Sequence, residues 1–359
     1  LPISNEGHFL AIEITNKNGH KYEKINKLLW LFIKISNASM ETKKIKFGII
    51  GFGSFGERRL IPGFNSCEKA ELHAISKRNQ LEAREKAAKF NIPKAYASID
   101  DLLKNNEIEA VFIASPNNLH KAHTEMAAKA GKHILVEKPM SLNSKDCKQM
   151  IEICERNRVK LMVAQCMRFN STVLRIKELI ETDVLGDVVS MDCSFLFDAR
   201  QSERKWIFSH EEAGGGPIMD LGVHCLDNLR FLAESEVKKV TSTKEYNITP
   251  EVESKAHIIL EFEKPIIGNI RVAFEGNYYT SIEVVGTKAI ARAEMYNLVG
   301  NQVELRVWNN RKLTKEHITN RDCYAAEIDA FSKAIMNDVE SPISGIEGLK
   351  NQMILDQIL

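Results

Sequence analysis

Phe47-Gly48-Ile49-Ile50-Gly51-Phe52-Gly53-Ser54-Phe55-Gly56 is a short apolar strand running into Gly-x-Gly-x-x-Gly. A helical pattern follows. In that setting the first glycine makes a tight turn and the second admits a pyrophosphate against the backbone. The third lets the helix pack closely on the strand. The helix start then turns free N–H groups and the positive end of its dipole toward phosphates. Gly51, Phe52, Gly53, Ser54, Phe55 and Gly56 are therefore candidate dinucleotide ligands. The competing reading is a purely structural glycine turn. What favours binding is the position of the motif, at the first strand of an alternating series.

That series runs outward from the loop. Residues 45–50, 71–76, 110–114, 133–137 and 161–165 read as short buried strands. Residues 55–64 (interrupted at Pro62), 80–90, 99–105, 121–130 and 145–156 read as helices. Apolar strands spaced by helices predict a doubly wound parallel sheet covered on both faces. From about residue 187 the pattern changes. Stretches 188–197, 237–246, 256–262, 268–274, 280–285, 289–293 and 303–308 alternate or are rich in β-branched residues, with helices at 222–233 and 325–337. This predicts a second, mostly antiparallel open sheet, giving an α/β protein overall.

At 359 residues the chain is long enough for two domains of roughly 100 to 200 residues each. Lys and Arg number 49 against 48 Asp and Glu, a net charge of +1 that favours neither nucleic acid nor an anionic membrane as partner. The apolar run 28–33 is far shorter than the ~20 residues of a membrane span. Seven scattered cysteines without a Cys-x-x-Cys pair fit a reducing compartment, so a cytoplasmic location is expected. The first methionine is Met40, and residues 1–39 are expected to lie outside the fold. The chain ends inside an uncapped helical pattern.

Three further stretches carry chemistry. An acidic residue ending the second strand would grip a ribose 2′-hydroxyl, but Ser76-Lys77-Arg78 stands there, with Lys77 21 positions after Gly56. Lys and Arg pair with a 2′-phosphate, which favours NADP(H) over NAD(H). The strands at 110–114 and 133–137 end in Ser115-Pro116-Asn117-Asn118-Leu119-His120 and in Glu137-Lys138-Pro139. Both endings fall at the carboxyl edge of a parallel sheet, where ligands of open α/β folds bind. Finally, Gly214-Gly215-Gly216-Pro217-Ile218-Met219-Asp220-Leu221-Gly222-Val223-His224 sets Asp220 and His224 four apart, on one face if helical. A carboxylate beside an imidazole fixes its tautomer. A capping Asp with a core His is the alternative. No third ligand is evident nearby, so no metal site is expected.

In combination these motifs resemble the glucose-fructose oxidoreductase / inositol dehydrogenase / rhizopine catabolism (Gfo/Idh/MocA) family of NAD(P)-dependent oxidoreductases. The resemblance extends from about Lys44 to the end of the chain. It implies a Rossmann domain at 40–165, to which a helix at 345–359 returns, and a substrate-binding and oligomerisation domain at 166–344. It implies Lys138, Asp220 and His224 as the catalytic set. It places Ser115, Pro116, Asn117, His120, Glu137 and Lys138 at the cofactor with the glycine loop, and Arg168 at the nicotinamide end. Lys205-Trp206 resembles, less closely, a Trp-Arg segment near the cofactor. Cys166 departs from the Asn or Gln of many relatives, and the acidic ribose ligand is absent.

The implied activity is hydride transfer between a nicotinamide and a carbinol or carbonyl carbon of a sugar, cyclitol or related polyol. His224 is the expected acid/base, oriented by Asp220, with Lys138 polarising the same oxygen. A trans-dihydrodiol or xylose dehydrogenase is the alternative within enzymes. A non-catalytic dinucleotide-binding sensor is the alternative outside them. The family also implies a homodimer or homotetramer formed through the second sheet.

Overall fold

The computed structural model describes residues 43–309 and 312–359. The extension expected at 1–39 lies outside these residues. Six strands form the first sheet: β1 (Ile45–Ile50), β2 (Ala70–Ser76), β3 (Lys94–Tyr96), β4 (Ala110–Ile113), β5 (His133–Glu137) and β6 (Leu161–Ala164). Their order is β3-β2-β1-β4-β5-β6, and every pairing is parallel. β4 and β6 are buried along their whole length, as expected of strands with helices on both faces. The order reverses between β1 and β4, so a crevice opens at their carboxyl ends.

The helices of this half start where the sequence supplies caps. Asn79 accepts from the Leu81 and Glu82 N–H groups ahead of Gln80–Lys89, and Asn143 accepts from Asp146 ahead of Ser144–Arg156. The first helix departs from the expectation that Pro62 interrupts it. A π-turn at Gly56–Leu60 precedes Ile61–Ser66, and Pro62 sits in the first turn of that segment, where its missing N–H does little harm.

Eight strands form the second sheet: β7 (Val188–Leu196), β8 (Val237–Glu245), β9 (Lys255–Phe262), β10 (Ile267–Ala273), β11 (Tyr279–Gly286), β12 (Ala289–Glu294), β13 (Gln302–Asn309) and β14 (Lys312–Thr319). Their order is β14-β13-β12-β11-β7-β10-β9-β8. The pairings are antiparallel except that of β7 with β10. In β12, Ala289, Ala291 and Ala293 are buried while the intervening residues are not, the period of two expected of a sheet covered on one side. The helices Ser171–Glu181 and Val223–Ala233 cover that side, joining Val173, Ile176, Leu226 and Leu229 to Ile258, Ile270 and Ile282 in one buried cluster. The C-terminal helix Gly345–Leu355 packs on the first sheet, where Val163 N–H donates to the Ile343 carbonyl at 3.0 Å. A Cβ on Gly348 would come within 2.7 Å of Val163.

Candidate active site

The glycine loop forms one wall of the crevice, and each glycine has its own geometric reason. Gly51 has φ +85°, and a Cβ there would stand 2.7 Å from the Ser115 nitrogen. A Cβ on Gly56 would stand 2.8 Å from the Phe52 ring. Gly53 is different. A Cβ there would meet nothing closer than the Gly51 carbonyl at 4.0 Å, and the residue lines the open cleft. Its bare backbone leaves a cradle next to a helix start, which is the form a pyrophosphate requires. Ser54 and Phe55 line the cleft as well. Phe52 does not: its ring is buried against Phe90.

The next two strand ends supply the opposite wall. Ser115, Pro116, Asn117, His120, Glu137 and Lys138 all line the cleft. Asn117 Nδ2 donates to the Ala213 carbonyl at 2.9 Å, joining this wall to the chain that precedes Asp220. His120 is wholly buried, with its two ring nitrogens 2.9 Å from the Ser115 and Pro139 carbonyls. Burial pulls its pKa down to about 4, so the neutral ring carries one proton for these two acceptors. His120 thus ties the end of β4 to the turn after β5. Burial pushes the Glu137 carboxyl up to about 7, while its Oε2 accepts from the Lys138 N–H.

Lys138 reaches across to the second half of the site. Its Nζ donates to the Asp220 carbonyl at 2.9 Å and to Asp220 Oδ1 at 3.1 Å. Arg204 grips the same carboxylate in bidentate fashion, Nη1 to Oδ1 at 3.1 Å and Nη2 to Oδ2 at 2.9 Å. Although burial opposes it, the two cations hold the Asp220 carboxyl well below the usual carboxylate range. Asp220 lies in a π-turn, Ile218–Gly222, that leads into the helix bearing His224. Such turns occur frequently at functional sites.

The expected orienting bond from Asp220 to His224 is not formed. Asp220 spends its oxygens on Lys138 and Arg204, and His224 Nδ1 is buried without a partner. Burial, helped by the Lys138 charge, drives the His224 pKa well below its ordinary value, so the ring is neutral at neutral pH.

Other expected residues do not line this cleft. Ser76 is buried, its Oγ turned toward the Ile49 carbonyl at 3.5 Å. Lys77 pairs with Glu82 at 2.9 Å, while Arg78 is exposed. Arg168 does not line the cleft. Asp227 takes it in bidentate fashion at 2.8 Å and Glu347 accepts at 2.8 Å, a network that ties helix Val223–Ala233 to the C-terminal helix. Lys205 is exposed and does not line the cleft; its neighbours Arg204 and Trp206 do. Sequence reasoning stopped one residue short of Arg204, whose Arg-Lys-Trp context was the available signal.

A second pocket adjoins the first. Phe195, Phe197, His224, Tyr278, Asn297 and Tyr324 line it, with Arg58 and Arg59 from the turn after the glycine loop. Phe55, Glu137, Lys138, Arg204 and Asp220 line both. None of the described His, Cys, Asp and Glu residues cluster as a metal site, and no described helix is long and apolar enough to cross a membrane.

Comparison with known proteins agrees with this geometry. Residues 45–165 match an oxidoreductase family with an NAD-binding Rossmann fold, and residues 173–292 match the GFO/IDH/MocA C-terminal domain. The chain is 27% identical to D-xylose 1-dehydrogenase (NADP(+)) 2 of Haloferax volcanii over 87% of this chain and 95% of that one. It is 29% identical to mouse trans-1,2-dihydrobenzene-1,2-diol dehydrogenase over 70% and 74%. Among solved structures, aldose-aldose oxidoreductase from Caulobacter crescentus superposes with a TM-score of 0.83 at 25% identity, covering 88% of this chain and 96% of that one. With both halves of the chain matched and the crevice built as described, the protein belongs to the GFO/IDH/MocA family of NAD(P)-dependent oxidoreductases.

Proposed function

We propose that the protein transfers hydride between NADP(H) and a carbinol or carbonyl carbon of a sugar, cyclitol or related polyol, with Lys138 and His224 serving the reacting oxygen. The observation that carries this reading is the wall shared by the two pockets. Lys138 and Asp220 line both the cleft at the glycine loop and the pocket holding His224. A hydride transfer between two bound molecules needs such a meeting point, with the acid/base group beside it.

Gly51, Gly53, Ser54, Ser115, Pro116 and Asn117 would hold the dinucleotide, which supplies the hydride-exchanging carbon when bound. The chain's own part is proton handling and positioning. His224, neutral at neutral pH, is in the right form to take the hydroxyl proton of a carbinol and to return it in the reverse direction. Lys138, fixed by both oxygens of the Asp220 contact, offers a cation to the developing alkoxide. Asp220 therefore acts through Lys138, and Arg204 holds Asp220 in place. The NADP part rests on Lys77 and Arg78 at the end of β2, and on the NADP(+) in the name of the Haloferax volcanii relative. The open face of the second sheet, where Ile259, Ile267 and Leu313 are exposed, is the surface through which subunits would pair.

The test is a panel of aldoses, inositols, keto sugars and trans-dihydrodiols assayed with NADP+ and NADPH by nicotinamide absorbance. Turnover of at least one polyol or its carbonyl partner is expected. Tight dinucleotide binding without turnover across the panel would favour the sensor reading instead.

A further inference from the structure

Arg58 and Arg59 stand in the π-turn behind the glycine loop and line the His224 pocket. Among the described residues Arg58 has only a long contact with Ser54 Oγ, at 3.4 Å. Arg59 has no carboxylate partner among the described residues. Its neighbour Glu57 is engaged by Lys86 and Lys89, facing the helix Gln80–Lys89. Arg59 lines the pocket together with Tyr278 and Tyr324, whose phenols burial raises and the Arg59 charge opposes. Tyr278 is itself fixed, donating to Asn297 Oδ1 at 2.7 Å.

The charges of this pocket do not balance. Its lining holds Arg58, Arg59, Lys138 and Arg204 against the carboxylates of Asp220 and Glu137 alone. Asp220 is already shared by Lys138 and Arg204. Glu137, with a pKa near 7, is only partly ionised at neutral pH. A walled pocket with excess positive charge raises the local concentration of anions and speeds their entry. Guanidinium forks match carboxylate and phosphate geometry.

We infer that the substrate is a polyol bearing an anionic group, a carboxylate or phosphate, which Arg59 binds within a pocket edged by Arg58, Tyr278 and Tyr324. The inference rests on the oxidoreductase reading above and names the substrate class of that same site. A hydride-exchanging carbon held near Lys138 and His224 leaves the rest of the molecule to extend toward Arg59.

The test compares D-glucose, D-glucuronate and D-glucose 6-phosphate, which share one ring and differ at the terminal carbon. With NADP+ present, kcat/KM for at least one anionic probe is expected to exceed that for glucose about tenfold, the size set by one partly exposed charge-assisted contact. The ratio falls toward one in Arg59→Gln, is intermediate in Arg59→Lys, and shrinks as ionic strength rises. The two anionic arms separate a carboxylate preference from a phosphate preference. A wild-type ratio of one or less, or a ratio unmoved by Arg59→Gln, overturns the inference. If none of the three turns over, calorimetric Kd values for the same probes and variants decide the question by the same ratio. Failure of the redox reading is thereby kept apart from failure of this one.

Discussion

Lys138 Nζ bonds both the backbone carbonyl and the carboxylate of Asp220, at 2.9 and 3.1 Å, so the end of β5 is fastened to the π-turn that carries the second half of the site. Asp220 is nearly buried and balances two cations, Lys138 and Arg204. Removing its charge leaves both cations without their carboxylate, although Lys138 keeps its bond to the backbone carbonyl.

Asp220→Asn is accordingly expected to lower stability by about 3 kcal/mol, because breaking a buried pair by deleting one partner exposes the full desolvation cost of the other. The sign with pH follows from the direction of the shift. The folded carboxyl titrates below its unfolded value of about 3.9, so its contribution is complete above that value and fades as pH falls below it. Melting temperatures of wild type and Asp220→Asn should differ by several degrees at pH 7 and converge in acid. A constant gap would show that the charge is not the cause.

Glu137 shifts the other way. Its folded pKa of about 7 lies above the unfolded value near 4.3, so the folded state favours the protonated form. Stability relative to Glu137→Gln should therefore fall as pH rises from about 4.3 to about 7 and level off beyond. Thermal unfolding of the pair across that range checks it. A flat difference contradicts the buried-carboxyl account.

The glycine loop gives a contrast between two neighbouring substitutions. Gly51→Ala forces a Cβ to 2.7 Å from the Ser115 nitrogen at positive φ, and should cost roughly 1–3 kcal/mol of stability. Gly53→Ala places its methyl in open cleft and should leave the melting temperature nearly unchanged while weakening dinucleotide binding tenfold or more. Thermal melts and NADP+ titrations of both variants separate the two roles. Equal effects on both measures would erase the distinction.

The proposed preference for NADP(H) rests on Lys77, which is tied to Glu82. NADP+ is expected to be preferred over NAD+ by about tenfold in kcat/KM, a value limited by exposure. Lys77→Asp should reverse the preference, and Glu82→Gln, by freeing the ammonium, should strengthen it. Both cofactors are measured at one ionic strength. A wild type that prefers NAD+ would show that Lys77 and Arg78 serve only the surface.

Five of the six strands of the first sheet were legible because their signals are local: apolar runs, glycines at a strand end, and helix caps. The three-residue edge strand β3, with no buried position, was not. The second sheet's alternation was equally plain in β9 or β12. β14 escaped because Lys312-Leu313-Thr314-Lys315-Glu316-His317 is an edge strand, mostly exposed, with no apolar period to read. The helix Ser171–Glu181 also went unread, although Asn170 caps it and Val173, Ile176 and Leu179 repeat at helical spacing. In the site, strand-end residues such as Ser115 and Lys138 could be placed from topology. Which partner each would choose could not. Sequence spacing paired Asp220 with His224, but two cations from distant segments outcompete a neutral imidazole for a buried carboxylate. Arg168 was drawn away from the cleft for the same reason, by Asp227 and Glu347.

The central claim is that Lys138 and His224 serve the reacting oxygen while other residues hold the dinucleotide. The direct measurement is kcat together with NADP(H) dissociation constants in Lys138→Met and His224→Ala, each confirmed as folded by its melting temperature. The account predicts that kcat falls about 10²-fold or more in both while cofactor binding stays within a fewfold of wild type. Near-normal turnover in both folded variants would contradict it.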